Sequence, residues 1–457
     1  MDRIVLVEGR ARVYTRLISI FIAMIVDALS STTIKTITPY MVTFTDCPNT
    51  TCPEVIGSVP EIQVYGLSFI FAGSEAMHIL TLPFAGFVCE SFGFDLPLIL
   101  GLLGQICASL CFAFSTSQLV YIIARVFLGA SSAFIGTVGM RYIAESTNSP
   151  KMRDTLFGIT YCLYGFSCLG PTYSGVLYYF YNMIYVFIPL AVVCFLCIIV
   201  LVAVTRVQTN VSESAMTWYR HADESISCGE ILLDPYVVLA ALGIGLSQLP
   251  EACLAPGIAL WISEEYGWPI WRVGVAFVPS FVTYQLSMVI CMFTTTSASR
   301  YAYLVTIAGF LIGAFGNVFL SADGGYQYVV VGIMLMAFSL TASKFCLVAI
   351  LASIGRTRFS SSPGRIFSVF KLSTLVPFAF GPIFALPINK SIGFPNMCII
   401  TASTVVVFSP LILIFRSLSS SSEKTRLIED TSKSNSDSDE VSYGTPKDAT
   451  ESEGNND

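Results

Sequence analysis

The feature that most limits what this chain can become is a succession of apolar runs, each about 20 residues long, the length an α-helix needs to cross a hydrocarbon core. They fall at 17–40, 65–88, 96–115, 118–140, 155–178, 183–205, 235–262, 273–294, 301–321, 327–354, 366–388 and 396–415. Composition agrees: of 457 residues, 54% are apolar and 12% charged, against about a quarter charged in an ordinary soluble domain. Too few charges remain to coat a water-facing globule, so the solvent of most of this chain is lipid. The longest polar interruption before the C-terminal tail lies at 206–233 and divides the runs six and six, a layout used by carriers built from two helical bundles. The expected fold is an all-α membrane protein with twelve transmembrane helices in two six-helix bundles. Its parts are an N-terminal segment 1–16, a bundle over 17–205, a linker 206–233, a second bundle over 234–415 and a disordered acidic tail 416–457.

The positive-inside rule orients these spans. With the N-terminus in the cytosol, Arg3, Arg10, Arg12, Arg16, Lys151, Arg153, Arg206, Arg220, Arg356, Arg358, Arg365 and Arg416 collect on the cytosolic side. The opposite loops hold little beyond Lys390, with Arg272 at a span edge. Both termini are then cytosolic, and Asn49 of the sequon Asn49-Thr50-Thr51 becomes a glycosylation acceptor in the first luminal or extracellular loop. Cys47 and Cys52 flank a polar stretch of that loop and would form a local disulfide if it faces an oxidising lumen. Most other cysteines lie in apolar runs, where they act as small hydrophobes.

Segment 1–16 is polar and basic and runs directly into a full-length span, so no cleavable signal peptide is expected. Segment 417–457 holds ten acidic and four basic residues, the whole of the chain's net −6; nothing suggests a nucleic-acid surface. That segment is Ser-, Asp- and Glu-rich, hence the expectation of disorder. Within it, EKTRLI has the acidic-dileucine form, with Glu423, Leu427 and Ile428 as the residues a sorting adaptor would read. With only His78 and His221, no CxxC pair or His cluster reads as a metal site, no metal or other cofactor is expected, and no GxxxxGK[ST] loop is present to drive a primary pump. No serine, cysteine or histidine constellation argues for an enzyme.

The informative residues are those that do not belong in hydrocarbon. Asp27 and Lys35 lie in span one, Glu75 and His78 in span two, Arg125 in span four, Glu251 in span seven, Lys344 in span ten and Lys371 in span eleven. An ionisable side chain at membrane depth costs several kcal/mol unless paired or hydrated, so most of this set is expected to line a wet interior path. Asp27, Glu75, Glu251, Lys344 and Lys371 are the candidates for substrate and proton contacts. Lys35, near a span end, could instead snorkel to the interface, and Arg125 could serve as an anchor tying backbone carbonyls together. In span five, GFSCLGPTYSG places Gly170, Pro171 and Gly175 where a tight crossing or hinge is expected.

Taken together, several segments resemble the vesicular amine transporters, the monoamine and acetylcholine carriers of the major facilitator superfamily. They are Asp27 with Pro39 twelve residues on, FAGSEAMHILTLPF in span two, ARVFLGASSAF around Arg125, and GPTYSG in span five. DPYVVLAA at the start of span seven, WRVGVAFVPSFVTY in span eight, Gly381-Pro382 in span eleven and IGFPNMCIIT at the start of span twelve complete the set. The resemblance implies a major facilitator fold, alternating access and proton-driven exchange in a vesicular or endosomal membrane, with the plasma membrane as the other residence.

The chain also departs from the pattern. The family's span-two lysine falls on Ser74, beside Glu75, and its span-seven glutamate falls on Ala255, one turn after Glu251. Its acids in spans ten and eleven fall on Lys344 and Lys371. A cation recognised in a dry cavity needs an anion nearby, and a lysine there repels it. The expected cavity is therefore neutral to mildly positive and suits zwitterionic or anionic solutes better than simple monoamines. Alternatively, Lys344 and Lys371 pair with Asp27 and Glu251 and leave an amine site elsewhere. Two further readings are an organic-anion carrier of the same fold and a transporter-like receptor or scaffold that no longer transports.

Overall fold

The computed structural model describes residues 10–44, 61–115, 117–146, 150–206, 231, 233–297, 302–322, 324–358 and 363–415. Asn49, Cys47, Cys52, Glu423, Leu427 and Ile428 lie outside these residues. Everything described is helical or turn, with no strand among the described residues. The apolar runs are continued by helix for several residues at many of their ends: span one is Arg10–Phe44, span two Glu61–Phe92, span four Gln118–Ser146, span seven Pro235–Tyr266 and span ten Tyr326–Arg358. Span three is Asp95–Phe114, span six Met183–Arg206, span nine Ala302–Ser321 and span eleven Pro363–Ile392.

Among the described residues, eleven helical stretches are long and apolar enough to cross a membrane. The twelfth crossing, span five, is made in pieces. Helix Pro150–Tyr164 tightens into a 3-10 turn over Gly165–Leu169 and resumes as Gly170–Phe180. Pro171 explains the break, because it has no N–H to continue a ladder but fits the first turn of the helix that follows. Span eight is likewise stepped, Ile270–Val275 then Val278–Ser297, and span twelve runs from Phe394–Phe408 into a 3-10 turn.

Two quoted motifs turn out to be helix starts. Asp234 caps span seven, accepting from the Tyr236 and Val237 amides, with Pro235 in the first turn. Gly393 takes a φ of +84° in the tight link from span eleven to span twelve, with Pro395 beginning the next helix; a side chain is strained at such a φ, so glycine fits.

Packing repeats itself. In the first half span one contacts four, five and six, spans two and three contact four, and three contacts six. In the second half span seven contacts ten, eleven and twelve, spans eight and nine contact ten, and nine contacts twelve. Each of these six contacts of the first half thus recurs with both spans advanced by six, the signature of two bundles sharing one architecture. The halves meet through spans two with eleven, five with eight, and one with seven. Outward-facing Leu80, Phe87, Phe293, Phe384 and Val407 are each more than half exposed, a surface that only lipid would solvate at low cost.

At the membrane face that carries the start of span one, each half is tied by ion pairs: Arg16 with Asp95 at 2.9 Å, Arg141 with Glu90 at 3.4 Å and Arg358 with Asp234 at 2.6 Å. The opposite face carries an aromatic group in which Arg272 lies over Trp268 at 4.7 Å and Tyr326 at 5.2 Å. Tyr and Trp are favoured at such membrane–water boundaries.

Candidate functional site

Between the halves lies an open cavity of about 950 Å³, counting its mouth. Lys35 of span one, Cys168 and Pro171 of span five, Glu251 of span seven and Tyr284 of span eight line one part of it. The other part reaches into the second half, where Leu254, Ile258, Phe310, Ile333, Met336 and Val405 give it apolar walls. On its wall the Lys35 ammonium and the Glu251 carboxylate form an ion pair that joins span one to span seven. Lys35 therefore turns inward to the cavity and does not reach for the interface. The two side chains keep 15% and 28% of their surface exposed, so the pair is open to a solute.

A second charged group lies apart from that cavity, inside the first half. Asp27 is buried and accepts from the Ser132 hydroxyl at 2.5 Å. Glu75 accepts from Ser74 at 2.9 Å. Lys371 reaches in from span eleven: its ammonium lies 5.7 Å from the centre of the Tyr164 ring and beside Gly136 of span four. There it interacts electrostatically with both Asp27 and Glu75. Buried His78 also feels Lys371. Lys344 stands between the two groups, within electrostatic range of Lys371 and of Glu251. Among the described residues neither Lys344 nor Lys371 forms an ion pair; Lys371 meets Asp27, and Lys344 meets Glu251, at longer electrostatic range.

Arg125 is fully internal and spends its donors on backbone. Its Nε donates to the Ile70 carbonyl at 2.8 Å, Nη1 to Ser31 at 3.3 Å and Nη2 to Phe71 at 3.4 Å. One guanidinium thus fastens span four to spans one and two. In the same stretch Gly129 lets span two approach so closely that a Cβ there would lie 1.9 Å from the Ser74 carbonyl oxygen.

Span five is wedged between spans one and eight. A Cβ on Gly170 would lie 2.1 Å from the Thr32 hydroxyl, and Thr32 donates to the Ser167 carbonyl at 2.7 Å. Gly175 abuts Gly274 of span eight: a Cβ on Gly274 would lie 2.7 Å from the Pro171 carbonyl oxygen and 3.3 Å from the Gly175 Cα. Thr172 donates to the Gly274 carbonyl at 2.7 Å, fixing that crossing. Further along, Gln285 donates to the Cys162 carbonyl at 2.9 Å. Gly381 and Pro382 are buried in span eleven, with Gly381 packed on Ala252, the neighbour of Glu251.

The five residues singled out for substrate and proton contacts are thus divided. Glu251 is on the cavity, Asp27, Glu75 and Lys371 form the second group, and Lys344 lies between. Ser132, Tyr164 and Gly129 were not singled out, although Ser132 and Gly129 lie within the quoted ARVFLGASSAF. Their signal is the spacing from Arg125, four and seven residues, which keeps them on one helix face. Asn317 and Cys168, also on the cavity, carried no signal beyond a polar or small residue in an apolar run.

At one rim of the second half, burial opposes the charged form of Asp234. The Arg358 hydrogen bond and the Tyr236 amide outweigh it and hold the carboxyl below its ordinary range.

A family model described as Major Facilitator Superfamily matches residues 18–358. The vesicular acetylcholine transporter of Drosophila melanogaster is 27% identical over 350 residues, covering 76% of this chain and 60% of its own length. That of Torpedo torpedo is 25% identical over 370 residues, 80% of this chain and 71% of its own. The human vesicular acetylcholine transporter is 26% identical over 357 residues, 77% of this chain and 66% of its own. The chain thus spans about three fifths of the fly protein's length.

Proposed function

The chain belongs to the Major Facilitator Superfamily, and on that premise we propose that it is a proton-coupled vesicular transporter of a small amine-type or zwitterionic solute, working by alternating access. The observation that carries this reading is the Lys35–Glu251 pair on the wall of a cavity between two repeated halves. A solute bearing both a carboxylate and an ammonium can replace each partner of that pair by its own opposite charge. It then satisfies both residues, where a monoamine would satisfy Glu251 and leave Lys35 unmatched. Because the pair bridges spans one and seven, separating it loosens one link between the halves, which is how binding would be coupled to rocking.

Proton exchange is assigned to Asp27. Its carboxylate faces Ser132 and Lys371, and Lys371 comes from the other half, so a change of charge on Asp27 alters how firmly span eleven is held. Glu75 sits in the same field, and Lys344 links it electrostatically to the cavity. Arg125, Gly170, Pro171, Gly175, Gly381 and Pro382 hold the crossings about which the halves would turn. We place the Arg-rich face in the cytosol, with both termini. Asn49 is then the glycosylation acceptor, Cys47 and Cys52 are disulfide partners, and Glu423, Leu427 and Ile428 are the contact for sorting adaptors. The resemblance to the vesicular acetylcholine transporters supports a vesicular membrane. A second reading, an organic-anion carrier, draws on Lys344 and Lys371, two lysines without ion-pair partners among the described residues.

Purified protein in proteoliposomes tests this, with an imposed proton gradient and labelled monoamines, polyamines, amino acids and organic anions. Gradient-dependent uptake of a zwitterion or amine, abolished by a protonophore and by Asp27→Asn, is the expected result. Uptake confined to anions would favour the second reading. Saturable ligand binding without uptake under any gradient would favour the receptor.

A further inference from the structure

The wall of the cavity includes a polar group that the protein leaves unmatched. Asn317 of span nine lines the cavity, is 1% exposed, and its Oδ1 has no hydrogen-bond partner. Its amide Nδ2 donates to the Thr401 hydroxyl oxygen at 3.3 Å. Thr401 donates in turn to the carbonyls of Met397 and Cys398, at 3.1 and 3.0 Å, and with its proton so placed it accepts from Asn317, whose carbonyl oxygen faces away. A buried acceptor without a donor is unfavourable, and the apolar cavity residues Ile333, Met336 and Val405 offer none.

We infer that Asn317 is a specificity residue: the cavity takes a solute whose apolar body ends in a neutral hydrogen-bond donor, a hydroxyl or ring N–H, and that donor pairs with Asn317 Oδ1. The donor is neutral because a second ammonium at this end would be buried among apolar side chains, while the carboxylate that could match it, Glu251, stands with Lys35. This rests on the reading that the cavity is the solute site. It adds a requirement beyond the charged pair.

The test uses pairs of probes that differ by one hydroxyl, in each charge class: tyrosine and phenylalanine, tyramine and phenethylamine, 4-hydroxyphenylacetate and phenylacetate. Binding is measured to the purified full chain and to Asn317→Leu. The charge class that binds reports on the proposed function, and the hydroxyl preference within that class reports on Asn317. The expected result is a preference of about tenfold or more for the hydroxylated member, reduced to within about twofold in Asn317→Leu while the deoxy probe binds as before. Equal binding of both members to the unaltered chain, as when a water satisfies Asn317, overturns the inference and leaves the charge reading intact. Hydroxyl preference that persists in Asn317→Leu also overturns it. Failure of every probe in all three classes overturns both. The comparison within the unaltered chain needs no variant to fold.

Discussion

Arg125 is the residue whose chemistry is most fully accounted for, since its guanidinium meets carbonyls of Ile70, Ser31 and Phe71 on two other spans. A lysine keeps the charge and loses the planar fork. Arg125→Lys is therefore expected to lower thermal stability almost as much as Arg125→Ala, with at least about 2 kcal/mol lost, measured as the unfolding midpoint in lipid nanodiscs. Full rescue by lysine would mean that charge alone matters there. Asp234 gives the pH counterpart. Its carboxyl is held below the ordinary range, so the stability it contributes is present above the unfolded pKa of about 4 and is lost as pH falls through the folded value. The deficit of Asp234→Asn against the unaltered protein should be constant from neutral pH down to about pH 5 and vanish in stronger acid; a deficit unchanged at pH 3 would contradict this. Charges were the legible part of the site, because each one stands out against an apolar run where it is costly. Which lysine meets which acid was not legible. Lys35 takes Glu251 through the rotation and depth of two helices 216 residues apart, and no local pattern records that. Asn317 was invisible for a related reason: one amide in an apolar run costs little until its partners are counted.

At the scale of elements, the lengths of eleven spans follow from apolar runs, and capping explains the start of span seven. Span five is the exception that its own residues announced. Pro171 and the surrounding glycines indicated a break or tight crossing, and the helix does break at Gly165–Leu169 before running against Gly274 of span eight. That the partner would be span eight was not readable, because the contact is made by bare backbone, which leaves no pattern in composition. The consequence can be measured. Gly274→Val must push span five away from the Pro171 carbonyl and Gly175, at an overpacking cost of about 1–3 kcal/mol, and any transport that turns on this crossing should fall with it. The neighbouring Ala276, buried in an apolar cluster with Leu254, Ile258 and Val273, serves as the comparison. Ala276→Gly should leave transport largely intact, and equal losses in the two variants would remove the crossing from the account.

For the whole molecule, the repeat of contacts after six spans makes the halves equivalent in architecture but not in charge. The first half holds Asp27, Lys35, Glu75 and Arg125, while the second holds Glu251, Lys344 and Lys371, and Lys371 crosses over to meet Asp27 and Glu75. That crossing of a charged side chain between the bundles is what the proposed coupling of solute, proton and conformation would use. Selection of a zwitterion by the Lys35–Glu251 pair can be measured as gradient-driven uptake of an amino acid and its decarboxylated amine, side by side, in the unaltered protein and in Lys35→Ala. The amino acid should enter at least about tenfold faster in the unaltered protein. In Lys35→Ala that advantage should disappear while the amine is carried as well as before or better. Preference for the amine in the unaltered protein, unchanged when Lys35 is removed, would contradict it.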